Sequence, residues 1–144
     1  MIVWIDSRFA LAINERQLAE HGGSVGVRDG QLLESALAQP QQRYAHRDPA
    51  PDLAELAASL ADGLVRNHPF VDCNKRTAAV ACETFIELNA ASLQADDLEL
   101  YPIYMALAEG ALSESDFAAW LRQRIALRPR AQFNEPRLRY RGVR

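Results

Sequence analysis

Residues 67–77 read Asn67-His68-Pro69-Phe70-Val71-Asp72-Cys73-Asn74-Lys75-Arg76-Thr77, a polar cluster set between two alanine-rich apolar stretches. A histidine, a carboxylate, an amide, a lysine and an arginine fall within nine residues. Lys75 is the only lysine of the chain, against fifteen arginines. Charge carried into a core is costly unless it is paired or used, so this interruption is where chemistry is expected.

On the N-terminal side, Asp52 and Glu55 form a capping-box-like start. Leu53, Leu56, Ala57, Leu60, Ala61, Leu64 and Val65 then recur at helical spacing. That helix delivers the chain to His68, and Pro69 helps to stop it, because a residue before proline avoids the helical region. On the C-terminal side, residues 75–90 read as a second helix through Ala78, Ala79, Ala81, Cys82, Phe85, Ile86 and Leu88, with Asn89 as its end. Small residues on several faces point to a central helix with close neighbours.

Further out, residues 3–6 read as a short strand or an extended lead-in. Ser7 caps a helix to about Glu20, burying Phe9, Ile13 and Leu18, and His21-Gly22-Gly23 ends it. Residues 22–30 hold four glycines without the spacing of a phosphate-binding loop, so they read as a flexible surface loop. Asp29 opens a helix ending near Pro40, and 40–51 is a polar connector. Asp96 and Asp97 start another helix, with Pro102 in its first turns. Ser113 and Asp116 cap a last one through Phe117, Trp120, Leu121 and Ile125, closed by Pro129.

The fold class is therefore all-α. Of 144 residues, 49% are apolar, with alanine and leucine dominant and only two threonines, a bias towards helix over strand. The length suits one domain. No run approaches a membrane span, the N-terminus lacks the flanks of a signal peptide, and Cys73 and Cys82 match no zinc or redox spacing. The expectation is a cytoplasmic protein with free thiols. Residues 1–127 carry 10 Lys/Arg and 18 Asp/Glu, a net −8, whereas 128–144 carry six Arg and one Glu, a net +5. We divide the chain into a domain at 1–127 and a basic extension at 128–144. That extension either is a solvated tail, or contacts DNA or an acidic partner, or folds back on the acidic body.

The loop 69–74 lies between two helices, so the amides from about Cys73 to Thr77 open the second with no intrahelical acceptors and a positive dipole end. With Lys75 and Arg76 this makes an anion site suited to phosphate. Asp72 alone would repel phosphate, which points to a bridging magnesium ion. His68 can face the same pocket and accept a proton at neutral pH. Each residue also has a structural reading: His68 as a satisfied residue before proline, Asp72 as a helix cap, Lys75 and Arg76 as solvated charge. Base, metal carboxylate and anion cradle together spell phosphoryl or nucleotidyl transfer to a hydroxyl.

The stretch His68–Arg76 resembles the Fic signature HPFx[DE]GN[GK]R, and its NKRTA ending is similar to the Doc branch, the death-on-curing toxins of toxin–antitoxin systems. Gln17-Leu18, His21-Gly22-Gly23 and Leu32–Leu37 followed by Pro40 extend the likeness over roughly residues 3–125. The resemblance implies a Fic fold arranged around the helix that follows the loop. It implies His68 as general base, Asp72 as magnesium ligand, and Cys73, Asn74, Lys75 and Arg76 in the cradle for the phosphates of ATP, with Phe70 anchoring the loop in the core.

Most Fic proteins transfer AMP and have glycine where Lys75 stands. In Doc-like proteins the lysine goes with an inverted ATP and transfer of the γ-phosphate. The family target is a threonine of elongation factor Tu, and the outcome is arrested translation. AMP transfer is the alternative within the enzyme class, and a non-catalytic module binding an antitoxin or DNA is the alternative outside it.

Two departures stand out. Cys73 takes a position usually held by glycine; if φ is positive there, a Cβ costs about 1 kcal/mol. A thiol at a helix start beside cations is either reactive or an inert small residue. The inhibitory [ST]xxxE[GN] helix of many Fic proteins is also missing, since no Ser or Thr precedes a Glu by four residues. Restraint would then come from another chain, a Phd-like antitoxin folding into a groove of the toxin, with DNA bound only indirectly through that complex.

Overall fold

Eleven of the fifteen residues of one helix, Leu53–Asn67, are buried, among them Ala54, Leu56–Val65 without interruption. The rest of the chain wraps around it. The computed structural model describes residues 1–128; apart from Arg128, the basic extension and the Pro129 stop lie outside the described residues. The elements in order are α1 (Ser7–His21), α2 (Gly30–His46), α3 (Leu53–Asn67), α4 (Asn74–Leu88), β1 (Ala91–Leu93), α5 (Asp97–Glu109), α6 (Glu114–Arg122) and β2 (Ile125–Leu127). The fold is all-α apart from the short ribbon β1–β2.

α3 packs against α2, α4, α5 and α6, and α4 against α1, α3 and α5. The most enclosed helix is thus the one before the polar loop, whereas α4 buries a single face through Thr77, Ala78, Ala81, Cys82, Phe85 and Ile86. Gly63 on α3 allows the close approach of α2: a Cβ added there would lie 3.2 Å from that of Ala36. The helix starts follow from their caps. Asp52 and Asp96 each complete a capping box, with Glu55 and Glu99, and Ser113 accepts from the Asp116 amide.

Several expectations are corrected. Asp6, not Ser7, caps α1 by accepting from the Phe9 amide. Phe9 is exposed, and the buried face is Ala10, Ile13, Asn14, Gln17 and Leu18. α2 does not end at Pro40 but runs on to His46 with the proline inside it. The proline removes one backbone bond, but its ring is buried, and the turn beyond it is anchored. Arg43 pairs with Glu114 of α6, and Tyr44 meets Trp4 edge-on at 5.7 Å. Of the two readings of residues 3–6 the strand falls and the lead-in to α1 stands; Asn89 clasps Val3, accepting from its amide and donating to its carbonyl. Ile125 lies not in the last helix but in β2, opposite Leu93.

No helix among the described residues is long and apolar enough to cross a membrane. Both cysteines are free, and burial pushes the Cys82 thiol up to about 12, which leaves it protonated and inert at neutral pH.

Candidate active site

The loop between α3 and α4 turns through two left-handed residues, His68 (φ 47°, ψ 56°) and Cys73 (φ 62°, ψ 31°). Histidine tolerates this region better than most residues, and the reversal at His68 swings its exposed side chain away from the α3 core. Phe70 is the anchor: it is 1% exposed. Asn74 clasps it from the other end of the loop, accepting from the Phe70 amide and donating to the Phe70 carbonyl, both at 2.9 Å. The Asn74 side chain thus shapes the loop, and its backbone opens α4.

Cys73 occupies the N-cap of α4 with no side-chain cap, so the positive φ that the glycine-like position foreshadows is present. Its thiol, partly exposed, lies 3.7 Å from the Gly22 carbonyl. The first helical bond of this turn runs from the Thr77 amide to the Cys73 carbonyl, so the amides of Asn74, Lys75 and Arg76 precede the hydrogen-bonded ladder. The Lys75 and Arg76 side chains are exposed, and among the described residues no ion pair neutralises either. Dipole, amides and two cations add up to a site for a polyanion.

Asp72 stands beside this cradle. One carboxylate oxygen accepts from the Cys73 amide at 3.0 Å, the other from the Ser24 amide at 3.2 Å. Each oxygen accepts one of these bonds, and the residue is exposed. Among the described residues no group of three or more metal-ligating side chains exists. A single open carboxylate next to a phosphate cradle is what magnesium needs, since it takes one or two carboxylates and completes its shell with phosphate oxygens and water. The residues present fit that ion.

His68, Asp72, Cys73, Asn74, Lys75 and Arg76 share one cleft of about 400 Å³, with Gly22 and Val71 completing its walls. All six residues singled out in the sequence therefore come together. A broader groove of about 880 Å³ over the start of α2 contains Arg28, Asp29 and Glu34 but none of this set.

Two supports were not foreseen. Asn14, on the buried face of α1, donates to the Asp72 carbonyl at 2.9 Å and to the Thr77 hydroxyl at 3.1 Å. It is fully buried and ties the loop to the first turn of α4 from below. An amide among Ala10, Ile13 and Leu18 on one helical face was the available signal.

The second support is the loop 22–29. Val27 bridges Phe70, the Val71 amide donates to Gly26, and the amides of Arg28 and Asp29 both donate to the Pro69 carbonyl. A Cβ on Gly23 (φ +131°) would sit 2.8 Å from Asp72 Oδ2. This segment does lie at the surface, as expected, but it is tied to the motif rather than free of it, and forms the wall against which the motif is built. No phosphate-loop spacing was present to flag it, because its work is done by backbone groups.

The description Fic/DOC family matches this chain over residues 4–86, which takes in α1 to most of α4 and the whole cleft. The chain belongs to the Fic/DOC family. It is 47% identical over 75 residues, 52% of its length, to a protein named Toxin Doc from Mycolicibacterium smegmatis, of which the match spans 58%. It is 30% identical over 113 residues, 78% of its length, to a protein named Protein kinase doc from Escherichia phage P1, of which the match spans 88%. The first match spans little more than half of its relative, while the second takes in most of both chains. Membership of the family rests on the loop, the cradle and the preceding helices together.

Proposed function

We propose that this protein is a Doc-like toxin that moves the γ-phosphate of ATP to a protein hydroxyl, with elongation factor Tu as the target and a Phd-like antitoxin as the restraint. The observation that carries the proposal is Lys75 in the first turn of α4, in the same cleft as His68 and Asp72. A glycine at that position would let a phosphate chain run past the helix start, whereas a lysine fills the space and adds a point charge. That arrangement favours a nucleotide entering with its terminal phosphate next to the base. The name of the phage relative, a protein kinase, supports the same reading.

In this mechanism the target hydroxyl is held against His68, whose imidazole takes the proton as the oxygen attacks the γ-phosphorus. The bond from the γ-phosphorus to the bridging oxygen breaks, and ADP leaves. Lys75, Arg76 and the amides at the start of α4 orient the phosphates and offset their growing charge. Asp72 with the phosphate oxygens would hold magnesium, which supplies further charge neutralisation when bound.

Incubation of purified protein with elongation factor Tu and either γ-labelled or α-labelled ATP decides the reaction. Label carried only from the γ position is expected. Label carried only from the α position would make the protein an AMP transferase. No transfer from either, with toxicity surviving His68→Ala, would leave a binding module.

A further inference from the structure

We propose that Arg28 is a positioning residue that sets the direction of His68, an inference that rests on the role of His68 given above. A general base is ordinarily oriented by a third group that hydrogen-bonds its far nitrogen. The imidazole of His68 has no such partner among the described residues, so its direction is inherited from its backbone. That backbone is left-handed, in a region where a Cβ is unfavourable, and something must hold it there.

Arg28 does so at three consecutive carbonyls. Its Nε donates to the His68 carbonyl at 2.6 Å, and a terminal guanidinium nitrogen donates to the Asn67 carbonyl at 2.7 Å. Its own amide donates to the Pro69 carbonyl at 2.7 Å. The last carbonyls of a helix lack intrahelical donors and carry the negative dipole end. A planar cationic fork satisfies both needs at once, which a lysine ammonium cannot. Arg28 is exposed, so truncating it opens no cavity in the core; what it removes is the grip on the turn.

The test uses the full chain carrying Arg28→Ala, Arg28→Lys or Arg28→Gln. Phosphate transfer is expected to fall about ten- to hundredfold in kcat for Arg28→Ala, since small misplacements of a catalytic group have effects of that order. The KM for ATP should stay within about threefold, because the cradle is built by α4. Arg28→Lys should recover only part of the rate.

An independent readout is NMR of histidine-labelled protein. The chain has three histidines, and the His68 signal should shift or broaden in Arg28→Ala while His21 and His46 stay in place. This reading holds even if the wild type fails to transfer γ-phosphate, in which case the kinase proposal falls and the positioning one is still judged. The positioning role is overturned by an unmoved His68 signal together with an unchanged kcat. It is equally overturned if the loss of rate follows the melting temperature alone and Arg28→Lys restores it completely.

Discussion

Two loops meet at the cleft, and they work in opposite ways. Residues 68–76 bring side chains: an imidazole, a carboxylate and two cations in one cleft. Residues 22–29 bring mainly backbone: amides that donate to Asp72 and Pro69, a Gly26 carbonyl that accepts from Val71, and a glycine where a Cβ would strike Asp72. Chemistry is concentrated in the first loop and geometry in the second. Variants of the exposed His68, Asp72, Lys75 and Arg76 should therefore change the reaction with little effect on folding, and variants in the second loop should change both.

The largest effect is expected from His68→Ala, which should lower transfer by about 10²–10⁴-fold. His68 is exposed, so its melting temperature should stay close to that of the wild type. A large drop in thermal stability would show that the two loops do not divide the labour in this way.

Next comes a pair of glycines. Gly22→Ala meets open space and Gly23→Ala meets Asp72 and Leu18, while both have positive φ. Each should lower the melting temperature by about 3–6 °C for the left-handed or extended strain alone. Only Gly23→Ala should also raise the magnesium concentration needed for half-maximal activity, since it displaces the carboxylate. Equal magnesium dependence in the two variants would break the comparison.

Cys73→Gly relieves a left-handed Cβ. A gain in stability of about 0.5 kcal/mol at most is expected after the extra freedom of glycine in the unfolded chain is subtracted. Urea titration measures it, and a loss would mean that the thiol contributes packing that outweighs the backbone strain.

The smallest effect lies away from both loops. Burial raises the pKa of Glu83 above the usual carboxylate value, against a lowering hydrogen bond from Tyr104, with Asp97 and Glu87 adding to the rise. The Tyr104 hydroxyl lies 3.2 Å from Glu83. A carboxylate raised on folding destabilises the protein above its folded pKa, and the cost fades as pH falls through that value to the unfolded one. Glu83→Gln should thus melt higher than wild type at neutral pH by on the order of a degree or two. The gap should close in acid, as calorimetry across pH would record.

The first loop was legible in the sequence because its residues are contiguous and chemically unlike their surroundings. Helix content was legible too, since Asp52 and Asp96 announce their helices within four residues. The misreadings share a cause. Pro40 ends a helix by local rule, but Arg43 and Tyr44 hold the next turn through partners in α6 and at Trp4. Ile125 continues a helical period, but three residues of β2 find Ala91–Leu93. In each case a contact far along the chain overrides a weak local preference.

What the sequence alone determined is the set of groups: an imidazole, a carboxylate and a cationic helix start, fixed in order and spacing by covalent connection. What the tertiary structure alone decided is how these groups are held. Asn14 lies 58 residues before Asp72 and Arg28 lies 40 before His68. Their bonds go to backbone carbonyls, which every residue possesses and no sequence pattern marks. The pairing exists only once α1 and the loop after it are packed against the turn from α3 to α4.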